Sequence, residues 1–348
     1  MEKGIFSIPI YKQSVDFNNV LHEVKDYTCD ADKFGINEAF FGEHLTDKHE
    51  KISSSLMMVS ALSQITSKIK LGTLTTNLNF YNPSVLAGLI AMVDNLSEGR
   101  LILGIGSGAN QTDLEAINSL EAENYKIMLE SHKIIMELLE RKDLVEIKSE
   151  NFYVSTKKSG NKYLGLGFFN SLYQNRQNLE IIMPALNQGS YNVEVCSKNC
   201  WSIIISNFCS EEIIEDHINR YLKYSPLDRK SALKKIRLAK YLHILENKND
   251  QKKYAYKENS PYLESINFLY NKLKTYKKDK VFGSNVNNLK DAVDNILVTG
   301  TPDKIKDYID HIKNKFGDIK SIVFVTVPKS NLSEYDNSLK LFASDVEA

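Results

Sequence analysis

An acid and an imidazole stand side by side at Glu43-His44, directly after the strand-like segment of residues 37–42. An imidazole that titrates near neutrality can take a proton and return it, so this pair suits general acid–base work. A histidine bonded only to strand-end backbone is the competing reading of His44 taken by itself. His243 alternates with Leu242 and Ile244 and reads more readily as part of a polar layer in a packed interior. Gly104, Gly106 and Gly108, with Ser107 between them and Asn110 after, provide backbone that a flat or anionic ligand could approach. The same glycines equally suit a strand that needs small residues for packing. They have neither the second spacing of a dinucleotide fingerprint nor the Lys-Ser/Thr of a phosphate-binding loop, which excludes both motifs. Asn187-Gln188-Gly189-Ser190 precedes a helical pattern and offers backbone amides to a phosphate.

Composition removes other chemistries. The 348 residues carry 44 Lys+Arg against 44 Asp+Glu, with no long basic run, so nothing marks the chain for nucleic acid or an anionic membrane. No stretch has the length of a membrane span, and Met1-Glu2-Lys3 leads into a strand-like segment without a signal-peptide core; the expected location is the cytoplasm. Cys29, Cys196, Cys200 and Cys209 are too scattered for a disulfide framework. Cys196 and Cys200 could share a helix face, but no His/Cys pair completes a zinc site, and no metal is expected.

The elements that must position these residues are clearest at residues 82–110. Asn82 caps a helix, Pro83 suits its first turn, and Gly99 supplies the left-handed residue that ends it. Val85, Leu86, Leu89, Ile90, Val93 and Leu96 form the predicted packing stripe, with Asp94, Asn95 and Glu98 assigned to water. Residues 101–105 then read as a buried parallel strand. The same alternation recurs along the chain, with strands at 5–10, 37–42, 69–78, 101–105, 179–183, 202–206, 236–244 and 321–327. Eight such units fit a closed α/β architecture, a (β/α)8 TIM barrel, better than an open sheet. The expectation is a single domain over residues 1–348, with insertions at about 140–178 after strand 4 and about 246–297 after strand 7. The second insertion is expected to hold a helix at 261–276.

In a barrel the chemistry sits where strands end. That selects Pro9 and Tyr11; Glu43 and His44; Thr75, Thr76 and Asn77; residues 106–110; residues 187–190; Ser206 and Asn207; and His243. Arg100, at a strand start, and Trp201 read as structural. The Tyr and Phe residues between Phe152 and Tyr173 suit either a substrate lid or an insertion packed on itself.

Four stretches together resemble the bacterial luciferase family of flavin-dependent monooxygenases: Phe40-Phe41-Gly42-Glu43-His44; the succession Pro83, Asp94, Leu96-Ser97, Gly99-Arg100 and the glycine turn; Val298-Thr299-Gly300-Thr301-Pro302; and the final helix from Leu339 to Val346. The resemblance implies a barrel that holds reduced FMN, delivered by a separate flavin reductase, and oxidises a small organic substrate such as an aldehyde or ketone through a flavin peroxide. It further implies His44 as the catalytic imidazole, Glu43 as its neighbour near the flavin, and Leu74-Thr75 as the peptide behind the ring. Gly106 and Ser107 join the cofactor set, and Gly189 and Ser190 are chosen for its phosphate. Tyr11, Asn77 and His243 are assigned to the substrate. Luciferase subunits carry a second histidine where this chain has Leu45, and their catalytic subunit an arginine where this chain has Ser107. A deazaflavin-dependent oxidoreductase of the same fold and a flavin-binding protein without turnover remain the other readings. The helices at 55–67 and 83–97, with Met57 and Met58, are expected to form a face for a second copy or a homologous subunit.

Overall fold

The structure, a computed structural model, describes residues 1–246, 256–276, 279–283, 286–329 and 337–346. Eight parallel strands close on themselves: β1 (Glu2–Ser7), β2 (Glu38–Phe41), β3 (Lys70–Thr73), β4 (Leu101–Gly106), β5 (Glu180–Ala185), β6 (Ser202–Ile205), β7 (Ile236–Ile244) and β8 (Ser321–Val325). Each pairs with the next, and β8 returns to β1 with Ile5 opposite Phe324, which completes the expected (β/α)8 barrel. Helices surround it: α1 (Phe17–Lys33), α2 (Ser55–Ser63), α3 (Pro83–Leu96), the short α4 (Gln111–Ala116), α5 (Asn124–Glu140), α6 (Tyr191–Lys198), α7 (Glu211–Tyr224), α8 (Arg229–Leu233), α9 (Pro261–Thr275), α10 (Leu289–Ile296), α11 (Pro302–Phe316) and α12 (Ser338–Ser344). Among the described residues, no helix is long and apolar enough to cross a membrane.

Helix α3 begins as its sequence dictates, with Asn82 accepting from the Ser84 amide and Pro83 in the first turn; Gly99, at φ +77°, lies just past its end. Its faces differ from expectation. Leu86, Ala87, Ile90, Ala91 and Val93 are buried together with Asp94, while Val85, Leu89, Met92 and Leu96 are exposed. Asp94 is fully buried because the first insertion brings a counter-charge to it. Arg176 donates to both carboxylate oxygens, and the Tyr173 amide adds a bond of 2.9 Å. That partner lies 82 positions away and leaves no trace in the local periodicity.

The same contacts locate the first insertion. It carries a small antiparallel hairpin, Glu146–Lys148 with Tyr153–Ser155, and meets the C-terminal end of α3 and the start of β4, where Arg176 donates to the Leu101 carbonyl. These contacts lie at the strand-start end of the barrel, and none of the aromatic residues between Phe152 and Tyr173 lines the strand-end cavity, which favours the packed insertion over the lid. Arg100 sits at the same end and donates to the Ser63, Thr66 and Ile69 carbonyls, a structural clamp as read from sequence. Of the second insertion, residues 247–255, 277–278 and 284–285 lie outside the described residues. Its helix α9 packs over the strand-end mouth through Tyr262, Ile266, Leu269 and Tyr270.

The third strand is interrupted. β3 ends at Thr73, a cis peptide joins Leu74 to Thr75, and Thr76–Asn77 resumes pairing with β4. Two glycines of β4 exist for this segment: a Cβ on Gly104 would fall 1.9 Å from the Thr73 carbonyl oxygen, and one on Gly106 would fall 2.2 Å from Thr75 Oγ1. At these two positions close strand packing explains the glycine.

Inside the barrel, the floor is a polar layer under an aromatic one. Arg237 on β7, fully buried, donates to Glu38 at 2.9 and 3.0 Å and reaches Glu180 at 2.8 Å. The guanidinium outweighs the effect of burial and holds the Glu180 carboxyl at about 2. Its charge also faces the Phe40 ring, which fits only because residue 72 is glycine: a Cβ there would be 2.4 Å from the ring.

Candidate active site

Above that floor the strand ends enclose a cavity of about 250 Å³. Its walls are mainly apolar, with Phe6, Ile10, Leu74, Ile204, Phe208 and Tyr241 from the barrel and Leu269, Leu273 and Tyr276 from the second insertion. Glu43, His44, Glu50, Asn77, Asn110, Gln111, Asn207 and Lys272 are among its polar points. Apolar walls with few fixed polar groups suit a small organic ligand or a flat ring.

His44 follows the end of β2, where its amide donates to the Ile52 carbonyl at 2.8 Å. Its Nδ1 is 3.1 Å from Asp113 Oδ2 on α4, and its Nε2 is 3.6 Å from Glu50 Oε2. Asp113 is itself tied down by the Thr46 amide at 2.8 Å and the Thr46 hydroxyl at 2.5 Å. Burial works against a charged imidazole here, but Glu50 and Asp113 outweigh it and raise the His44 pKa above its ordinary value. Asp113 is held below the usual carboxylate range by its bonds to His44 and Thr46, against the effect of burial.

Glu43 points to the opposite side and acts as a brace. Its Oε2 accepts from the Ser55 amide and hydroxyl, both at 2.8 Å, and its Oε1 accepts from the Asn77 amide at 2.8 Å. Burial raises its pKa despite these donors. The carboxylate thereby joins the end of β2, the start of α2 and the short Thr76–Asn77 strand around the Leu74–Thr75 peptide.

The structure brings Glu43, His44, Leu74, Thr75 and Asn77 to one cavity and leaves other expected residues off it. Gly106, packed against Thr75 and Asn77, and Ser107 do not line the cavity, and Ala109, Asn110 and Gln111 line the wall instead. Gly189 and Ser190 are outside the cavity, and the Gly189 amide donates to Asp216 at 2.8 Å, so a carboxylate already holds the hydrogen expected to meet a phosphate. Tyr11 is buried behind the wall and donates to Glu23 at 2.9 Å. His243 is fully buried at the end of β7, 3.3 Å from the Thr299 hydroxyl and in ring contact with Tyr262. Asn207 and Ser206 reach the wall as the strand-end rule suggested. Asp113, Glu50, Tyr241 and Lys272 were missed. Asp113 is three residues past the turn that drew attention, while Glu50 and Lys272 sit in a loop and an insertion without distinctive spacing. Among the described residues, no group of three or more His, Cys, Asp or Glu side chains is arranged to hold a metal ion.

Residues 1–160 match the family described as luciferase-like monooxygenase. Limonene 1,2-monooxygenase of Rhodococcus erythropolis is 29% identical over 136 residues, which are 39% of this chain and 35% of that protein. F420-dependent glucose-6-phosphate dehydrogenase of Amycolatopsis mediterranei is 31% identical over 124 residues, which are 33% of this chain and 37% of that one. The chain therefore matches about a third of the length of these curated relatives. The likeness of fold extends further. The oxygenating constituent of 3,6-diketocamphane monooxygenase from the CAM plasmid of Pseudomonas putida, a type II Baeyer-Villiger monooxygenase solved in complex with FMN, superposes with a TM-score of 0.86 at 17% identity, covering 99% of this chain and 97% of that one.

Proposed function

We propose, from the match of residues 1–160 to the luciferase-like monooxygenase family, that the chain is a member of that family and a two-component monooxygenase that uses reduced FMN and oxygen to oxidise a small, neutral, apolar organic compound, with aldehydes and ketones the first candidates. The observation that carries this reading is His44, held by Asp113 behind it, on the wall of a mainly apolar cavity. The residues present fit a flavin. The apolar walls suit the ring, and Asn110, Gln111 and Asn207 suit a polyol chain. The phosphate has less provision, since Lys272, the cation on the described wall, is shared between two carboxylates, and Asp216 holds the Gly189 amide. Bound reduced FMN would supply the electrons that activate oxygen.

The chain's own part follows from the geometry. The apolar cover formed by α9 limits water at the reacting centre. Asp113 fixes the His44 ring through Nδ1, and His44 holds or releases a proton at the cavity wall. Glu43 keeps the Leu74–Thr75 peptide and Asn77 in place. A reductase that delivers reduced flavin is the electron source in this reading, and the cytoplasm is where the two would meet.

A cofactor panel tests it. The purified chain should retain reduced FMN and, supplied by any flavin reductase, consume oxygen in step with product from an aldehyde or cyclic ketone series. Retention of a reduced deazaflavin with no affinity for FMN would move the chain to the dehydrogenase reading. Oxygen uptake without organic product across the series would leave a flavin-binding protein.

A further inference from the structure

A single oxygen atom serves two cations in this site. Glu50 Oε2 lies 3.6 Å from His44 Nε2 and 2.5 Å from Lys272 Nζ. Lys272 comes from α9, on the second insertion, and is more than two hundred positions from Glu50 in the chain. Its ammonium also reaches Asp47 Oδ2 at 2.6 Å, and it lies over the Phe268 ring, which packs on His49. Asp47 in turn accepts from the His49 amide at 2.8 Å and the Glu50 amide at 3.3 Å, so the loop that carries Glu50 is shaped around the carboxylate that Lys272 grips. The side chains of Glu50 and Asp47 are almost out of solvent, at 7% and 10% exposed, and charges at such sites interact strongly.

We infer that Lys272 is a positioning residue for His44: by taking up part of the charge on Glu50 Oε2, it sets how firmly His44 holds its proton, so the seating of α9 over the cavity and the proton affinity of His44 are coupled. The groups that face His44 are few. Glu50 and Asp47 come from its own loop, Asp113 from α4 and Lys272 from α9, while its neighbour Glu43 is turned toward Ser55 and Asn77. Two carboxylates act to keep the imidazole charged, and Lys272 opposes one of them. With Lys272 seated, His44 is a readier proton donor than Glu50 and Asp113 alone would make it. The inference deepens the proposed function, since it assigns a control to the imidazole on which that function rests.

The test does not need cofactor or turnover. In the full-length, ligand-free protein with isotope-labelled histidine, the His44 signal is identified by its loss in His44→Gln and followed against pH. Lys272→Gln should move the His44 titration to higher pH, Glu50→Gln and Asp47→Asn should move it to lower pH, and Lys272→Arg should leave it near the wild-type position. An unmoved titration in Lys272→Gln, or a shift in the same direction as Glu50→Gln, overturns the inference. If Lys272→Gln yields no folded protein, Asp47→Asn decides, because it leaves Lys272 wholly to Glu50: a downward shift supports the coupling and an unmoved titration overturns it. Failure of the flavin reading would appear only in the cofactor panel, so the two failures stay distinct.

Discussion

His44 and Asp113 meet at 3.1 Å although they are 69 positions apart in the chain. The carboxylate that holds the ring is anchored by Thr46, two residues beyond His44, through both its amide and its hydroxyl. The strand-end histidine and the short helix after the glycine turn are therefore one rigid unit, and a change at either residue is felt by the other.

Replacing His44 by alanine is expected to cut turnover by roughly a hundred to ten thousand-fold, the range typical of a lost general acid or base. Because Asp113 loses its partner, a stability cost of about 1–2 kcal/mol should accompany it. Flavin affinity should change little. Asp113→Asn keeps the shape but removes a charge that favours imidazolium, so the limb of the pH–rate profile that belongs to His44 should move to lower pH. Near-normal turnover in His44→Ala, measured with any accepted substrate, would return this residue to a purely structural role.

Gly104→Ala should be among the most damaging single-carbon additions in the chain. The new Cβ would meet a backbone carbonyl, that of Thr73, at 1.9 Å, and backbone cannot turn aside as a flexible side chain can. A loss of about 3 kcal/mol or more is expected, at the upper end for overpacking. The shift would be delivered to the Leu74–Thr75 wall, so ligand binding should weaken as well. Thermal melts and ligand titration on the same sample would show whether both effects occur.

The barrel was legible because its signals are local. Helix caps such as Asn82–Pro83 and the apolar strand runs need only a few neighbouring residues, and the count of alternating units gave the closure. Glu43, His44 and the strand-end rule likewise gave the centre of the candidate site. What failed was non-local. Asp94 looked like a water-facing residue until the insertion supplied Arg176, and Gly189 looked like a phosphate donor until α7 supplied Asp216. Lys272 is one of many lysines in an insertion of poor periodicity, and only the packing of α9 selects it. His243 and Tyr11 sit near strand ends as expected, yet their side chains are enclosed by Tyr262 and Glu23.

Stability should fall in acid before the carboxylates titrate. Burial holds His217, which is fully enclosed, and His132, which packs on Trp201, at about 4, well below the ordinary imidazole value. A lowered folded-state pKa means that the unfolded chain binds protons first, so stability is complete above about 6.5 and declines as pH falls toward 4. For His217 the loss is on the order of 3 kcal/mol by pH 4. Asp47 and Glu180, held at about 2, add their losses as pH falls from the ordinary carboxylate value toward 2. Denaturant midpoints of wild type and His217→Phe between pH 7 and 4.5 check this, since the variant should lose the steeper part of the slope.

Asp94→Asn should destabilise the fold without touching the cavity. Among the described residues the fully buried carboxylate is the one charge that the Arg176 fork meets, and it also accepts from the Tyr173 amide, so neutralising it leaves a partly buried guanidinium uncompensated. Breaking such a pair costs about 3–5 kcal/mol. The pair lies at the strand-start end, so the His44 titration should be unchanged in the folded variant. A variant as stable as wild type would show that water takes over the role of Asp94.

The apolar face of α2 and α3 leads to the last expectation. Met57 is 75% exposed, Met92 60% and Val85 59%, and Leu89 and Leu96 extend the surface along α3. Met58, expected beside Met57 on this face, is turned into the core instead. Solvent-facing positions on a helix are ordinarily polar, and a run of unbranched and aliphatic side chains over two adjacent helices is the usual mark of a covered surface. The covering partner expected from the sequence is a second copy of this chain or a homologous subunit, docked helix to helix. A charge placed at the centre of such a face is buried without a counter-ion on assembly, so Met92→Glu should separate the pair while the barrel itself stays folded. Sedimentation at micromolar concentration should give twice the chain mass for the wild type and the single chain mass for Met92→Glu, with similar melting behaviour of the separated barrel in ligand-saturated solution. A wild-type chain that sediments as a monomer at that concentration would rule out self-pairing and leave only a different subunit to cover these methionines.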